Sequence, residues 1–143
     1  MKINFFVRDN INKDEIINIF KSKLEFEVCD NNPTHIICCG GDGTFLDAVG
    51  KFGLEPIYIG INMGTLGFYT SWKIEDIDEI IKDIKNNNIT LAPTLNVKTL
   101  KENKEVSVYN CVNETTIINP IHTQILDVHV NDFFLENFRG TGI

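Results

Sequence analysis

A single carboxylate lies inside a short glycine-rich turn, GGDGT, in which Gly41 and Gly43 flank Asp42. Glycines tolerate positive φ angles and let a backbone approach a ligand, and the free N–H groups at a helix start attract anions, so this turn is suited to a phosphate. A carboxylate beside a phosphate needs a metal ion or a hydroxyl proton between them. Asp42 is therefore predicted to contact Mg²⁺ or to act as a general base, with capping of the following helix as the alternative.

A second glycine-rich segment, GINMGTLGF at 60–68, follows another apolar run. Because the carboxyl ends of parallel strands meet at one edge of an α/β sheet, the two segments are expected to outline one crevice. Asn62 is a candidate to hydrogen-bond a sugar or an amide. Phe68 or Tyr69 is a candidate to stack on a base, with ordinary core packing as the alternative for both rings.

Two common nucleotide-binding motifs are absent from the sequence. A Walker loop needs Gly-Lys followed by Ser or Thr, whereas Gly50 and Lys51 are followed by Phe52. The dinucleotide fingerprint needs a third glycine where Leu46 stands, and no acidic residue marks the end of the next strand. The glycine segments therefore belong to neither class.

Strand-like and helix-like segments alternate through the first part of the chain. The predicted elements are a strand at 2–8, a helix with Asn12 and Glu15 in capping-box spacing, a strand at 34–39, a helix after the glycines, a strand at 55–61 and a helix at 74–84 that stops near 86–88. This alternation predicts a layered α/β domain with a parallel sheet at 1–91.

After Leu91 the pattern changes to alternating apolar and polar residues, with turn signals at 102–103 and 131–132. These features predict antiparallel hairpins, so 92–143 is expected to begin a second, all-β domain. We place the boundary near Ala92 and Pro93.

Composition excludes several classes of partner. The formal net charge of -7 and the lack of a basic run interleaved with aromatics argue against nucleic acid. No run reaches the roughly 18 apolar residues of a membrane span, and no signal peptide is visible, so a cytoplasmic protein without a membrane partner is expected. The four cysteines lack C-x-x-C spacing and are expected to be buried thiols, and the three histidines share no ligand spacing.

Four motifs in order resemble those of the NAD kinases, also called inorganic polyphosphate/ATP-NAD kinases. GGDGT at 40–44 and GINMGTLGF at 60–68 are followed by Asn113-Glu114 and by FRGTG at 138–142, in which Thr141 stands where that family commonly has aspartate. GGDGT alone is shared with diacylglycerol kinases and, in variant form, with 6-phosphofructokinases. The four motifs together are much more specific.

The resemblance implies transfer of a phosphoryl group from ATP or polyphosphate, with Mg²⁺ or another divalent metal, to the adenosine ribose 2′-hydroxyl of NAD, giving NADP. It implies that Asp42 accepts the proton of that hydroxyl. The implied NAD-binding residues are Asp42, Gly43, Phe68, Asn113, Glu114, Arg139 and Thr141. The phosphate-facing turn comprises Gly40, Gly41, Gly43 and Thr44, and the second glycine loop contributes Gly60, Asn62, Gly64 and Gly67.

Other consequences of the resemblance concern assembly and completeness. The family is usually oligomeric, so a homo-oligomer is expected. Its S-T-P-[ST]-G-S-T-A-Y segment would follow Ile143, so 92–143 is expected to be the truncated start of a β-rich NAD-binding domain. The alternatives are a diacylglycerol-type lipid kinase, disfavoured by the GINMGTLGF continuation, and a non-catalytic nucleotide-binding module.

Overall fold

The computed structural model describes residues 1–65 and 67–143, so Leu66 in the second glycine segment lies outside the described residues. The described chain divides into two compact units, Met1–Leu91 and Ala92–Ile143, called here the first and second units.

The first unit is a parallel sheet with helices between its strands, which confirms the predicted α/β class. Its elements are β1 (Lys2–Val7), α1 (Lys13–Lys21), β2 (Glu27–Val28), β3 (His35–Gly40), α2 (Asp42–Phe52), β4 (Ile57–Asn62), a 3₁₀ turn (Ile74–Asp76) and α3 (Ile77–Asn86). The strands lie in the order β2-β1-β3-β4, and every pair is parallel. The short edge strand β2 was not predicted, and the segment predicted as one helix at 74–84 begins as the 3₁₀ turn.

The central strand β3 explains why an uninterrupted apolar run forms a strand here. Ile37 and Cys39 point into a core shared with α1 and α3, whereas Ile36 and Cys38 pack with Ala48 of α2 on the opposite face. Because successive strand residues face opposite sides, a strand covered on both faces must be apolar throughout.

Local signals fix the helix ends. The Asn12 side chain accepts hydrogen bonds from the backbone N–H groups of Asp14 (3.1 Å) and Glu15 (3.4 Å), and so caps α1 as its spacing predicted. The α3 helix ends where Asn87 adopts a left-handed conformation with φ 52°.

The direction in which strands are added to the sheet reverses after β2. The strand β2 lies on one side of β1, whereas β3 and β4 lie on the other side. The helices α1 and α2 pack on opposite faces of the sheet. The two carboxyl ends lie side by side, because the Arg8 N–H donates to the Cys39 carbonyl at 3.0 Å. Open α/β sheets bind ligands at such a point, and here the GGDGT turn begins there.

The second unit consists of two antiparallel hairpins, as predicted. The first pairs β5 (Leu95–Lys101) with β6 (Lys104–Cys111), and the second pairs β7 (Gln124–Val130) with β8 (Phe133–Gly140). Both two-residue turns, at 102–103 and 131–132, have positive φ at both residues, which is the geometry that matches the twist of a hairpin. No residue of this unit, all of which is described, is buried.

The cysteines are only partly in the predicted environment. Cys38 and Cys39 are buried, and burial raises the pKa of both thiols to about 12. Cys29 and Cys111 are half-buried, so the expectation of a buried thiol is wrong for these two. Among the helices that the structure describes, none has the length and apolarity needed to cross a bilayer.

Candidate active site at the carboxyl ends of β3 and β4

Asp42 is the first residue of α2, and Gly41 occupies the cap position. Asp42 is therefore not the helix cap, and that alternative is wrong. Its carboxylate instead accepts hydrogen bonds from Phe68, the last residue of the second glycine segment, and from the next two residues, Tyr69 and Thr70. The two glycine-rich segments thus meet at this side chain.

Three consecutive backbone N–H groups converge on the Asp42 carboxylate. Oδ2 accepts from Phe68 N at 2.7 Å, and Oδ1 accepts from Tyr69 N at 2.9 Å and from Thr70 N at 3.1 Å. The Thr70 hydroxyl donates to Oδ1 at 3.2 Å. Successive N–H groups that point one way form an anion-binding concavity, and here the bound anion is a side chain of the protein itself.

These hydrogen bonds determine the ionisation of Asp42. Partial burial acts to raise its pKa, but the N–H groups of Phe68, Tyr69 and Thr70 and the Thr70 hydroxyl outweigh that effect and hold the pKa below its usual value. Each of these donors stabilises the charged form. Asp42 is consequently a carboxylate at neutral pH.

Backbone hydrogen bonds hold the second glycine segment against the sheet. Met63 N donates to the Gly40 carbonyl at 2.9 Å, which ties this segment to the GGDGT turn. Further along, Asn62 N donates to the Trp72 carbonyl at 2.7 Å, and Trp72 N donates to the Gly60 carbonyl at 3.2 Å. The chain therefore leaves β4 and returns beside it, which brings residues 68–70 over the start of α2.

Two glycines of this loop are required by close packing. A Cβ on Gly60 would lie 2.3 Å from the Tyr69 carbonyl oxygen, and one on Gly67 would lie 2.0 Å from the Thr70 hydroxyl. Of the glycines that the structure describes, Gly53 has the positive φ. In this loop the structure accounts for Gly60 and Gly67 by packing that is too tight for a side chain.

The GGDGT turn uses its glycines differently. A Cβ on Gly40 would lie 2.3 Å from the Thr44 hydroxyl, so Gly40 is required by packing. Apart from the adjoining residues and the backbone of α2, no described atom lies within 4 Å of a Cβ added to Gly41 or Gly43, and Gly43 is exposed. These two positions leave the N-terminal end of α2 open to a ligand, as an anion site requires.

Asn62 and Gly64 form a local turn inside the second segment. The half-buried Asn62 side chain accepts a hydrogen bond from Gly64 N at 2.7 Å. This contact is a structural role for the Asn62 carbonyl oxygen, beside the predicted contact with a sugar or an amide.

The two aromatic candidates lie in different environments. Tyr69 stacks on Phe45, with ring centroids 5.2 Å apart and planes inclined by 12°. Phe68 contacts Tyr69 edge-on but is 85% exposed. Packing therefore accounts for Tyr69, whereas the Phe68 ring presents a free face next to Asp42.

Asn113 and Glu114 lie in a turn after β6. The strand ends at Cys111, Asn113 has φ 75°, and Glu114 N donates to the Val112 carbonyl at 3.0 Å. Both residues are exposed. Both residues therefore belong to a three-residue turn that follows the strand. Such turns strain the backbone, and strain of this kind is concentrated at functional sites.

The remaining candidates of the second unit lie in and after the other hairpin. Arg139 is exposed in β8, opposite Ile125 of β7. Thr141 is exposed beyond the strand, and its carbonyl accepts from Asn119 N at 2.7 Å.

Thr70 is a residue of the site that the sequence interpretation missed. It is 1% exposed and contacts Asp42, 28 positions earlier in the chain, through both its N–H and its hydroxyl. Its position directly after Phe68 and Tyr69 is the one available signal, and nothing in local periodicity distinguishes it from a core threonine.

The described side chains do not form a protein-ligated metal centre. Among residues 1–65 and 67–143, no group of three His, Cys, Asp or Glu side chains surrounds a common point. The described groups that contact the Asp42 carboxylate are hydrogen-bond donors, not further acidic ligands.

A parallel α/β sheet with glycine-rich segments at the carboxyl ends of its strands is the architecture of nucleotide-binding proteins. The profile of the ATP-NAD kinase N-terminal domain matches residues 8–89. The NAD kinase of Limosilactobacillus reuteri is 30% identical over 151 aligned positions that cover 100% of this chain and 56% of the relative. A Streptococcus pneumoniae NAD kinase is 35% identical over 124 positions, covering 83% of this chain and 46% of the relative. The chain belongs to the NAD kinase family.

Solved structures share the fold. An Archaeoglobus fulgidus NAD kinase in complex with ATP superposes with a TM-score of 0.65 at 19% identity, covering 99% of this chain and 59% of that one. Yeast NADH kinase complexed with NADH superposes with a TM-score of 0.66 at 16% identity, covering 99% and 56%. This chain therefore spans about half the length of the relatives it matches.

Proposed function

We propose that the complete gene product transfers a phosphoryl group from ATP or polyphosphate to the adenosine ribose 2′-hydroxyl of NAD, giving NADP. Membership of the NAD kinase family supports this reaction class. The observation that carries the assignment of the catalytic group is the ionised Asp42 carboxylate, fixed by residues 68–70 at the start of α2. It lies beside the open backbone of Gly43 and the exposed ring of Phe68.

In the proposed step the ribose oxygen forms a bond to the terminal phosphorus as the bond from that phosphorus to the leaving oxygen breaks. ADP, or a polyphosphate shortened by one unit, departs with the electron pair of the broken bond. The hydroxyl proton passes to Asp42. Since its hydrogen bonds make Asp42 a weak base, it accepts the proton as bond formation makes the hydroxyl acidic, and its main contribution is positioning.

The binding residues follow from their positions in the first unit. The backbone at Gly41 and Gly43 of the GGDGT turn, where an added Cβ would meet no packed neighbour, suits the approach of phosphate or a polar group of NAD. Phe68 suits stacking on adenine because its ring is exposed while its own N–H is fixed to Asp42.

The second unit supplies further NAD contacts under this proposal. The assigned residues are Asn113 and Glu114, which hold ribose or amide groups, and Arg139 and Thr141 of the segment after β8. The strained turn at Asn113 is the local observation that supports a functional role there.

Mg²⁺ or another divalent cation is proposed to enter with the donor. A phosphate-bound cation neutralises charge on the transferred group, and Mg²⁺ ordinarily retains waters and substrate phosphates as ligands instead of a cage of protein side chains. The described residues accordingly do the remaining work of binding, orienting and accepting the proton.

The named ligands of the structural relatives guide the choice of substrates to test. The A. fulgidus protein is in complex with ATP and the yeast protein with NADH. ATP and polyphosphate are accordingly compared as donors, and NAD and NADH as acceptors. The proposal also includes a homo-oligomeric state and a cytoplasmic location.

The reaction is tested by incubating the complete gene product and a magnesium salt with NAD, NADH or diacylglycerol, each with ATP or polyphosphate. NADP formation, read with an NADP-specific dehydrogenase, is the expected result. Phosphorylation of the lipid without NADP would refute the proposed reaction and favour the lipid-kinase alternative. Failure to phosphorylate any acceptor, with nucleotide binding retained, would favour a non-catalytic module.

The base is tested by comparing Asp42→Asn with Asp47→Asn, which removes an exposed carboxylate from the same helix. We expect Asp42→Asn to lower kcat by at least about 100-fold and Asp47→Asn to leave it near wild type. Because the NH2 group of an asparagine side chain can face the Phe68 N–H donor, fluorescence of Trp72 in the 143-residue chain, where it is the single tryptophan, must show that the loop remains in place. Wild-type kcat in Asp42→Asn would exclude the general-base role.

A further inference from the structure

We infer that Thr70 is a positioning residue, which holds Asp42 so that Oδ2 is the oxygen presented to the hydroxyl acceptor. The catalytic part of this inference rests on the proposed function. The geometric part concerns this chain alone and can be tested without substrate.

The two carboxylate oxygens of Asp42 are not equivalent. Oδ1 accepts hydrogen bonds from Tyr69 N, Thr70 N and the Thr70 hydroxyl, at 2.9, 3.1 and 3.2 Å. The donor that the structure gives for Oδ2 is Phe68 N, at 2.7 Å. A carboxylate oxygen has about two lone-pair directions, so Oδ1 is saturated whereas Oδ2 retains room for a hydroxyl proton.

Thr70 contributes most to this asymmetry because it supplies two of the Oδ1 donors. Its side chain is 1% exposed, so its hydroxyl cannot turn to solvent and has the Asp42 carboxylate as a charged partner. Hydrogen bonds to an ionised acceptor are about twice as strong as neutral ones. Removing the hydroxyl leaves the N–H donors of Tyr69 and Thr70 in place, but it should weaken the hold on Oδ1 and loosen the orientation of the carboxylate.

Two glycines enclose Thr70. A Cβ added to Gly67 would lie 2.0 Å from the Thr70 hydroxyl and 2.6 Å from the Thr70 carbonyl oxygen. These two atoms therefore fill the space that a side chain at position 67 would need. A Cβ on Gly60 would lie 2.8 Å from the Thr70 Cα. These glycines permit the close approach that seats Thr70 against Asp42, so the second glycine loop has a positioning task besides any ligand contact.

The geometric part is tested on the 143-residue chain by carboxyl ¹³C NMR of Asp42 in wild type, Thr70→Val and Thr70→Ser. Valine keeps the shape of threonine and removes the hydroxyl, and serine restores the hydroxyl. We expect the pKa of Asp42 to rise in Thr70→Val and to return toward wild type in Thr70→Ser. Thr90→Val, which changes an exposed threonine outside the site, is the control and should leave the Asp42 titration unchanged.

The catalytic part is tested with the complete gene product. If Thr70 positions Asp42, Thr70→Val should lower kcat about tenfold or more with little change in KM for NAD, and Thr70→Ser should recover most of the loss. If Thr70 serves only folding, Thr70→Val lowers the fraction of folded protein. Every measured rate then falls by the same factor, and the pH profile of kcat does not change.

The outcomes separate this inference from the proposed function. If Asp42 titrates alike in wild type and Thr70→Val, the positioning role is refuted even if NADP is formed. If the Asp42 signal moves as expected but no acceptor is phosphorylated, the NAD kinase reaction fails while the contact stands. Should Thr70→Val not fold, as judged by Trp72 fluorescence, Thr70→Ala decides the question by the same titration and rescue by serine.

Discussion

The two units of this chain differ in where their apolar side chains lie. In the first unit large rings such as Phe5 and Phe20 are at most 1% exposed. In the second unit Phe133 is 78% exposed, Phe134 60% and Leu135 63%. A two-sided parallel sheet encloses a core on each face, whereas a two-stranded hairpin has no layer beneath it.

The difference has consequences for the candidate site. Asp42 is held by four hydrogen bonds within a unit that has its own core. Asn113 and Arg139 lie on or beside hairpins in which no residue is buried. The proposed catalytic group is therefore preorganised by the fold of the first unit, whereas no core within the second unit fixes the residues proposed to contact NAD there.

Separating the units tests this contrast most directly. We expect residues 1–91 to fold cooperatively alone and residues 92–143 to lack a cooperative transition, because isolated hairpins are marginally stable in water. Circular dichroism during urea titration of each fragment measures this. A sigmoidal transition of 92–143 with strand content retained would contradict the contrast.

Truncating one phenylalanine in each unit should give unequal losses of stability. In the 143-residue chain, Phe20→Ala removes a ring that is 0% exposed and should lower the free energy of unfolding by about 3–5 kcal/mol. Phe133→Ala removes a ring that is 78% exposed and should change it by less than about 0.5 kcal/mol. Equal losses in urea unfolding would show that Phe133 is buried in solution.

A pair of glycine substitutions should sharpen the picture of the first unit. Gly60→Ala places a Cβ 2.3 Å from the Tyr69 carbonyl and should destabilise by about 1–3 kcal/mol. Gly50→Ala lies in α2, where the new Cβ has no described atom within 4 Å apart from the adjoining residues and the helix backbone, so it should stabilise by about 0.5–1 kcal/mol. Thermal unfolding measures both, and a neutral Gly60→Ala would remove the packing explanation for the loop.

The smallest expected effect is a dependence of stability on pH through Asp42. Because the pKa of Asp42 is lower in the folded chain than its usual value of 3.8, its stabilising contribution is present above pH 3.8 and is lost as the pH falls through the folded pKa. The stability difference between wild type and Asp42→Asn should therefore shrink on acidification, with Asp47→Asn as the control for net charge. A pH-independent difference in urea unfolding would contradict this linkage.

Features encoded over a few neighbouring residues were predictable from the sequence. The apolar run of β3, the Asn12 cap of α1 and the two-residue turn at 131–132 follow from periodicity, capping and turn chemistry, and the structure confirms each. The short strand β2 was missed because its two residues pair with β1 at the sheet edge without a periodic signal of their own.

The same distinction between features of neighbouring residues and contacts of distant residues applies to the candidate site. The sequence by itself determined that a carboxylate lies between glycines at the end of a buried strand and that a second glycine segment follows the next strand. It did not determine that the loop amides and the Thr70 hydroxyl bind Asp42, or that Asn113 leaves its strand in a strained turn. Periodicity is a property of adjacent residues, whereas the Asp42–Thr70 contact exists only because the parallel sheet brings two strand ends together.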